Sequence, residues 1–194
     1  MKLDEAQLVK DCLNKDEKAY RRLYDLYAGK MYGVCRRYTS SDSAAEDVMH
    51  DGFIKVFESL HKLRNSSSLE AWIRKVMVYT AVNANRHDLP LADNDSDTNS
   101  FGDSYSSGDE ILARIDASII VDEMQKLPDS YRSALNLCEV EGYTVQEAAK
   151  MLGIKDTSLR TTLIRAKKIL VKKLRITDSN AEYQSETDKQ DINA

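Results

Sequence analysis

The sequence predicts an all-α protein built from two small helical domains that a flexible acidic linker joins. Apolar residues recur at three- and four-residue steps along most of the chain, which is the spacing of one helix face. Glycine and proline are scarce, at 7 and 2 of 194 residues, and no alternating strand pattern of useful length appears. An acidic, polar segment at residues 88–110 separates the two periodic halves.

Composition excludes several classes of protein. No run approaches the ~18 apolar residues of a membrane span, and the N-terminus lacks the apolar core of a signal peptide, so we expect a cytoplasmic protein without membrane insertion. The three cysteines and three histidines have no metal-ligand spacing, so we expect reduced thiols, no metal and no cofactor. There is no glycine-rich phosphate loop and no nucleophile–base set, which argues against an enzyme with a small-molecule substrate.

The first domain, residues 1–87, is predicted to be a helical bundle. A short helix covers Asp4–Leu13, a longer one begins near Asp16, a second long helix follows Ser43, and a third starts at Ser68. The predicted buried stripes are Tyr20, Leu23, Tyr27, Met31, Val34 and Tyr38; Ala45, Val48, Met49, Gly52, Phe53, Val56 and Leu60; and Leu69, Trp72, Ile73, Val76 and Thr80. The polar side of the middle helix keeps Asp47, His50, Asp51 and Glu58.

A polar loop, Arg64–Ser68, precedes the third helix, whose outer face carries Arg74, Lys75, Asn83 and Arg86. Such a loop can hold unstacked bases of single-stranded DNA while the basic helix contacts the backbone. Two interpretations of Trp72 stay open, because a tryptophan at this position is equally suited to the bundle core. For Arg74 and Lys75 the simpler alternative is a solvated surface.

The net charge of −4 does not argue against binding to nucleic acid, because the acidic and basic residues are segregated along the chain. Residues 88–110 carry seven acidic residues and no basic one: Asp88, Asp93, Asp95, Asp97, Asp103, Asp109 and Glu110. The segment cannot bury enough apolar surface to offset its ordering entropy, which predicts a flexible linker. The tail, residues 177–194, carries five acids and one lysine and is predicted to be disordered.

The second domain, residues 111–176, is predicted to end in a helix-turn-helix. Its first helix carries Ile111, Ile115, Ile119 or Ile120, Met124 and Leu127, and Pro128 is placed in the first turn of the next helix. Thr144 and Glu147 have capping-box spacing, and Gly153 supplies a left-handed stop. A last helix begins near Asp156 or Thr157 with Leu159, Leu163, Ala166, Leu170 and Leu174 on its apolar face.

The other face of this last helix is polar and basic. Residues 157–175 hold seven basic residues and no acidic one, and the face carries Ser158, Arg160, Thr161, Thr162, Arg165, Lys167 and Lys168. Such a helix can lie in the DNA major groove, with its first turns at base edges and its cations on phosphates. A basic helix with a merely solvated face is the alternative, and the capped helix, glycine turn and polar start found together favour DNA binding.

Four segments follow one another along the chain: LYDLYAGKMYGVCRRYT, AEDVMHDGFIKVF, SLEAWIRKVMVYTAVN and LPDSYRSALNLCEVEGYTVQEAAKMLGIKDTSLRTTLIRAKKIL. In this order they resemble a bacterial RNA polymerase sigma factor of the extracytoplasmic-function type, in the sigma-70 family. The resemblance implies a sigma region 2-like first domain that binds core polymerase and the promoter −10 element. It implies a sigma region 4-like second domain that reads the −35 element. An anti-sigma protein is a usual partner of similar proteins.

The resemblance also assigns residues to these expected roles. Asp47, His50 and Asp51 match the surface that binds core polymerase; the family more often has Gln and Glu where His50 and Asp51 stand. Residues matching the −10 segment are Arg64, Asn65, Trp72, Arg74, Lys75, Asn83 and Arg86. Residues matching the −35 recognition helix are Ser158, Arg160, Thr161, Arg165 and Lys168. The acidic linker is expected to follow the positive nucleic-acid channel of the polymerase.

Two other classes of protein remain open at this stage. One is a stand-alone helix-turn-helix regulator that binds half-sites about one DNA turn apart without polymerase. The other is an interaction module that mimics a sigma factor to bind its inhibitor. The acidic helix face beside a basic, promoter-facing helix favours the sigma factor, since a lone regulator does not need the loop and the Trp-bearing helix. An intact basic recognition face argues against the mimic.

Overall fold

The computed structural model describes residues 5–63, 69–84 and 116–191, with residues 176–191 described as backbone alone. The described residues are helical, with turns between helices and no strand among them. Contacts between residues divide the chain into two units, Met1–Leu89 and Pro90–Ala194. The predicted loop at 64–68, the linker at 88–110, and Ile111 and Ile115 lie outside the described residues.

Among the described residues, four helices belong to the first unit. They are α1 (Glu5–Leu13), α2 (Glu17–Arg36), α3 (Asp42–Ser59) with a short 3₁₀ turn at Leu60–Lys62, and α4 (Leu69–Ala84). The side chain of Asp16 accepts the Lys18 N–H at 2.8 Å and caps α2, and Ser41 accepts the Ala44 N–H at 3.2 Å and caps α3. Both caps satisfy N–H groups that the first turn leaves without a partner inside the helix.

The core of the first unit lies between α2, α3 and α4. The predicted stripes are confirmed for most positions, including Leu23, Met31, Phe53 and Ile73, each at most 2% exposed. Tyr20 is half-buried instead of buried. Its ring packs against Phe57 of α3, with the ring centroids 4.8 Å apart. Gly52 lies so close to the Met77 side chain that a Cβ there would collide with its sulfur. The missing side chain at this position therefore lets α3 approach α4.

In the part of the second unit that the structure describes, there are four further helices. They are α5 (Ala117–Gln125), α6 (Asp129–Leu135), which continues as a π-helical turn at Asn136–Val140, α7 (Val145–Leu152) and α8 (Asp156–Asp191). Asp116 caps α5 by accepting the Ser118 N–H at 2.8 Å. The prediction for Pro128 is off by one residue, since it stands at the cap position before α6 instead of in its first turn.

A buried arginine ties α6 to the end of α5. Arg132 is 1% exposed, and its Nη1 donates to the carbonyl oxygens of Gln125 at 2.7 Å and Leu127 at 3.0 Å. Its other terminal nitrogen, Nη2, contacts the carboxylate of Asp129. Burial lowers the pKa of Arg132 from its ordinary value. The guanidinium thus satisfies the carbonyls that the end of α5 and the following turn would otherwise leave buried without donors.

The backbone of α8 continues as helix to Asp191, which differs from the predicted disordered tail at 177–194. Residues 176–191 contain neither glycine nor proline, so no helix-breaking residue ends the helix that begins in the packed part of the unit. The acidic composition from which disorder was predicted does not by itself stop a helix. No helix in the described ranges is both long and apolar enough to cross a membrane.

Candidate functional site

The helix-turn-helix of the second unit is built as its sequence predicts. The N–H of Glu147 donates to Thr144 Oγ1 at 3.3 Å, and Glu147 Oε2 accepts the Thr144 N–H at 2.9 Å, which completes the capping box at the start of α7. Gly153 ends α7 in the left-handed region at φ 72°, and the Ile154 N–H then reaches the Ala149 carbonyl at 3.1 Å. These two local signals set the angle at which α8 leaves α7.

The apolar face of α8 is buried as predicted, with Leu159, Leu163, Ala166, Leu170 and Leu174 each at most 8% exposed. Helical spacing then places the opposite face toward solvent. The residues centred on that outer face are Thr157, Thr161, Ile164, Lys168, Lys172 and Arg175. We call this set the outer face of α8. It offers hydroxyls in the first two turns, where a recognition helix contacts base edges, and cations further along, where they can contact phosphates.

The five residues predicted to contact the −35 element lie on the polar side of α8, but not all of them are at the centre of its outer face. Arg160 and Lys168 are exposed, whereas Ser158, Thr161 and Arg165 are half-buried. Thr162, predicted on the polar face, is only 8% exposed, and its hydroxyl donates to the Ser158 carbonyl at 2.9 Å. The prediction for Thr162 is wrong because its position falls inside the apolar stripe, where a back-bonded hydroxyl is tolerated.

One cation of α8 is already engaged inside the unit. Lys167 Nζ lies 2.8 Å from Glu139 Oε1, and both side chains are partly exposed. Glu139 belongs to the π-helical turn that extends α6, so the ion pair connects this turn to α8. No sequence pattern signals this pair, since the two residues are far apart in the chain and meet only in the folded unit.

The acidic face of α3, which we define as Asp47, His50 and Asp51, lies open on the first unit. All three side chains are exposed, and the His50 ring stacks on Tyr24 of α2 with centroids 6.4 Å apart. Ile54, one turn further on, is 55% exposed although it is strongly apolar. An exposed apolar side chain can be buried against a partner protein, although a single one is common on protein surfaces. The sequence analysis missed Ile54. It could have been found as an apolar residue that lies outside the buried stripe of α3.

A groove of about 350 Å³ runs between the C-terminal half of α3 and α4. We call it the α3–α4 groove, and its lining residues are Lys55, Ser59, Lys62, Trp72, Lys75, Val76, Tyr79, Thr80 and Asn83. Three of the predicted −10 residues, Trp72, Lys75 and Asn83, thus come together. Arg74 is half-buried and does not line the groove. Arg64, Asn65 and Arg86 lie outside the described residues.

The groove combines cationic and aromatic groups. Three lysines lie around it, and Tyr79, which is 53% exposed, stands with the half-buried Trp72 on α4. This combination suits a single nucleic-acid strand, because cations hold the backbone while aromatic faces stack on bases. Trp72 is therefore partly packed in the core and partly accessible for stacking at the groove. Sequence reasoning missed Lys55, Lys62 and Tyr79, although Lys55 and Lys62 are spaced two turns apart.

Two further chemical possibilities concern metals and thiols. Among the described residues, no group of three or more His, Cys, Asp or Glu side chains is placed to hold a metal ion. Cys12 and Cys35 are buried, and burial raises the pKa of the Cys12 thiol to about 11 and that of the Cys35 thiol to about 12. Neither thiol is thus in the reactive thiolate form near neutral pH.

A capped helix-turn-helix with a basic outer helix face and a separate unit with a cationic, aromatic groove define a helical nucleic-acid-binding protein. The family model of sigma-70 region 2 matches residues 23–88, and that of sigma-70 region 4 matches residues 118–170. Together the two matches cover more than half of the chain. The chain belongs to the sigma-70 family of RNA polymerase sigma factors, in its extracytoplasmic-function class.

Relatives of known identity align along nearly the whole chain. The sigma-E factor of Haemophilus influenzae, an extracytoplasmic-function RNA polymerase sigma factor, is 25% identical over 182 residues, covering 89% of this chain and 96% of that protein. The RNA polymerase sigma-H factor of Pseudomonas aeruginosa is 28% identical over 181 residues, covering 87% and 92%. Among solved structures, the sigma factor RpoE of Bartonella quintana, in complex with the anti-sigma factor NepR, shares 16% identity at a TM-score of 0.48, covering 82% of this chain and 98% of that one.

Proposed function

We propose that this protein is a promoter-recognition subunit of RNA polymerase, which binds the core enzyme and directs initiation at −35 and −10 elements. The observation that carries the proposal is the order of the two sigma-70 matches, one on each helical unit. A stand-alone regulator would need only the second unit, and the first unit keeps a separate nucleic-acid groove and an acidic face.

In the second unit, α8 is proposed to read the −35 element. Arg160 and Arg165 are the residues suited to guanine, because a guanidinium donates two parallel hydrogen bonds to its major-groove edge. Ser158 and Thr161 supply hydroxyls in the first turns, and Lys168 supplies a phosphate contact on the outer face of α8. Lys172 and Arg175 extend the same cationic surface.

In the first unit, the α3–α4 groove is proposed to hold the −10 strand after the duplex opens. Trp72 and Tyr79 offer stacking surfaces, and Lys55, Lys62 and Lys75 offer phosphate contacts. Asn83 at the same groove offers both a donor and an acceptor to a base edge. The family resemblance adds Arg64, Asn65, Arg74 and Arg86 to this proposed segment.

The acidic face of α3 is proposed to bind core polymerase. Asp47 and Asp51 present carboxylates to solvent, and the exposed Ile54 gives the surface an apolar centre that desolvation can bury. His50 adds a hydrogen-bonding ring held against Tyr24. We further propose that the protein acts in the cytoplasm, with no catalysis of its own, and has an anti-sigma protein as an additional partner.

In vitro transcription with purified core polymerase and a promoter library tests the proposal. The wild type is expected to direct initiation from promoters that share a −35 and a −10 motif. Arg160→Ala/Arg165→Ala is expected to lose the −35 preference. The charge-preserving Arg160→Lys/Arg165→Lys is expected to keep affinity for DNA but to relax the guanine preference, because lysine cannot make the bidentate contact.

A second pair of variants tests the contact with core polymerase. Asp47→Ala/Asp51→Ala is expected to weaken holoenzyme assembly, whereas Glu17→Ala/Asp25→Ala removes the same charge from exposed positions on α2 and is expected to leave assembly intact. A wild-type protein that binds duplex DNA alone and never forms holoenzyme would identify a stand-alone regulator instead. A protein that does neither, yet binds an anti-sigma protein, would identify a sigma mimic.

A further inference from the structure

The first unit carries a second cationic surface, on α2 and outside the α3–α4 groove. We call it the α2 basic stripe and define it as Lys18, Arg21 and Arg22. The three residues recur at helical spacing on the face of α2 turned away from the core, and all three are exposed. Together with Asp25 and Leu26 they line a shallow depression on the surface.

The charges of the α2 basic stripe are available to a partner. Asp25 stands three to four residues after the two arginines, a spacing at which helical ion pairs form. Neither arginine is paired with it, and the side chains of the stripe make no hydrogen bond or ion pair with the described residues. The depression therefore has three cations against one carboxylate, and binding an anion there breaks no ion pair formed within the described part of the chain.

The position of the stripe relates it to the α3–α4 groove. Tyr20 packs on Phe57 at 4.8 Å, so the first turns of α2 lie beside the last turns of α3. Those last turns of α3, with the 3₁₀ turn that follows them, supply Lys55, Ser59 and Lys62 to the groove. Further along α2, Tyr24 contacts Phe53 and His50 instead. The stripe and the groove thus lie toward the same end of the bundle, and the acidic face of α3 begins where α2 reaches Tyr24.

We propose that the α2 basic stripe binds the phosphate backbone of promoter DNA next to the segment held in the α3–α4 groove. The proposal rests on the proposed function, since it extends the path of the same DNA. Exposed lysine and arginine without carboxylate partners suit phosphates, which they bind in any base sequence. The acidic face of α3 has the opposite charge, so the partner of that face does not fit the stripe. An acidic protein segment is the competing occupant, because Leu26 is 40% exposed.

The test measures promoter binding by reconstituted holoenzyme across a salt series. Each phosphate that a cation neutralises adds about 0.9 to the slope of log K against log salt for duplex DNA and about 0.7 for a single strand. Lys18→Ala/Arg21→Ala/Arg22→Ala is expected to lower this slope by roughly 0.7–0.9 for each phosphate that the stripe neutralises in the wild type. Lys18→Arg/Arg21→Lys/Arg22→Lys keeps all three charges and is expected to keep the wild-type slope. Far-UV circular dichroism checks that both variants stay folded.

A scan with neutral methylphosphonates then locates the bound phosphates on the DNA. At some phosphate positions, the methylphosphonate is expected to weaken promoter binding by the wild type and to have no effect on promoter binding by the alanine variant. An unchanged salt slope for the folded alanine variant would overturn the proposal. Weaker holoenzyme assembly at an unchanged DNA slope would also overturn it and assign the stripe to an acidic protein surface. Failure of the wild type to bind promoters as holoenzyme would reject the proposed function, and the proposal with it.

Discussion

Replacing Arg132 with methionine is expected to unfold the second unit selectively. The substitution keeps the length of the side chain but removes the donors to the carbonyls of Gln125 and Leu127 and the partner of Asp129. Each buried carbonyl left without a donor costs about 1–3 kcal/mol. Losing the ion pair adds less than about 1 kcal/mol, because the Asp129 carboxylate is partly exposed. We therefore expect the free energy of unfolding to fall by about 3–5 kcal/mol, most of the stability of a unit this small.

The assay uses the position of the single tryptophan. Trp72 lies in the first unit, so its fluorescence follows the unfolding of that unit, while far-UV circular dichroism follows both. In urea, Arg132→Met is expected to lose part of its circular dichroism signal at a lower urea concentration than the wild type. The unfolding transition followed by Trp72 fluorescence is expected to be unchanged. In thermal unfolding, a destabilisation of about 3 kcal/mol corresponds to a Tm lower by roughly 12 °C or more.

A matched variant separates the carbonyl hydrogen bonds from the ion pair. Asp129→Asn removes the carboxylate charge but keeps an oxygen acceptor, and the Asp129 side chain is partly exposed, so we expect a destabilisation below about 1 kcal/mol. If Arg132→Met instead changes the free energy of unfolding by less than about 0.5 kcal/mol, the buried guanidinium does not hold the turn between α5 and α6 and the reasoning fails.

Three smaller perturbations test local features. Thr144→Ala removes the cap of α7 and is expected to cost about 1 kcal/mol in urea unfolding, with Thr144→Ser close to wild type. Gly153→Ala places a side chain at φ 72° and is expected to cost about 1–2 kcal/mol, with Gly153→Asn less damaging. Because the thiols of Cys12 and Cys35 ionise near pH 11 and 12 in the folded chain and near 9 when unfolded, stability is expected to fall as pH rises above 9. Iodoacetamide labelling of Cys12 and Cys35 at about pH 8, measured separately from the half-buried Cys138, should therefore be slow until urea is added, and rapid labelling of these two thiols in the native chain would contradict this.

Local signals made most of the fold predictable. The capping box at Thr144, the glycine stop at Gly153 and the apolar face of α8 each depend on residues within one or two turns, and the structure confirms them. The buried stripes of α2 and α3 follow from the same periodicity. Such features are visible in a single sequence because the helix brings residues three and four apart onto one face.

Features that depend on two separate elements were not predictable. Arg132 is charged, so periodicity alone does not place it in the core; its partners are carbonyls at the end of another helix. The α3–α4 groove needs the crossing of two helices before Lys55 and Tyr79 meet Trp72. Lys167 was predicted only to lie on the polar face of α8, and the fold brings it to Glu139. In each case the missing information is a contact between residues far apart in the chain.

The α3–α4 groove gathers three lysines, Lys55, Lys62 and Lys75, on one surface of the first unit. Such a cluster attracts a polyanion before contact and speeds its first encounter with the groove. Salt is therefore expected to slow the association of this unit with DNA more than it speeds dissociation.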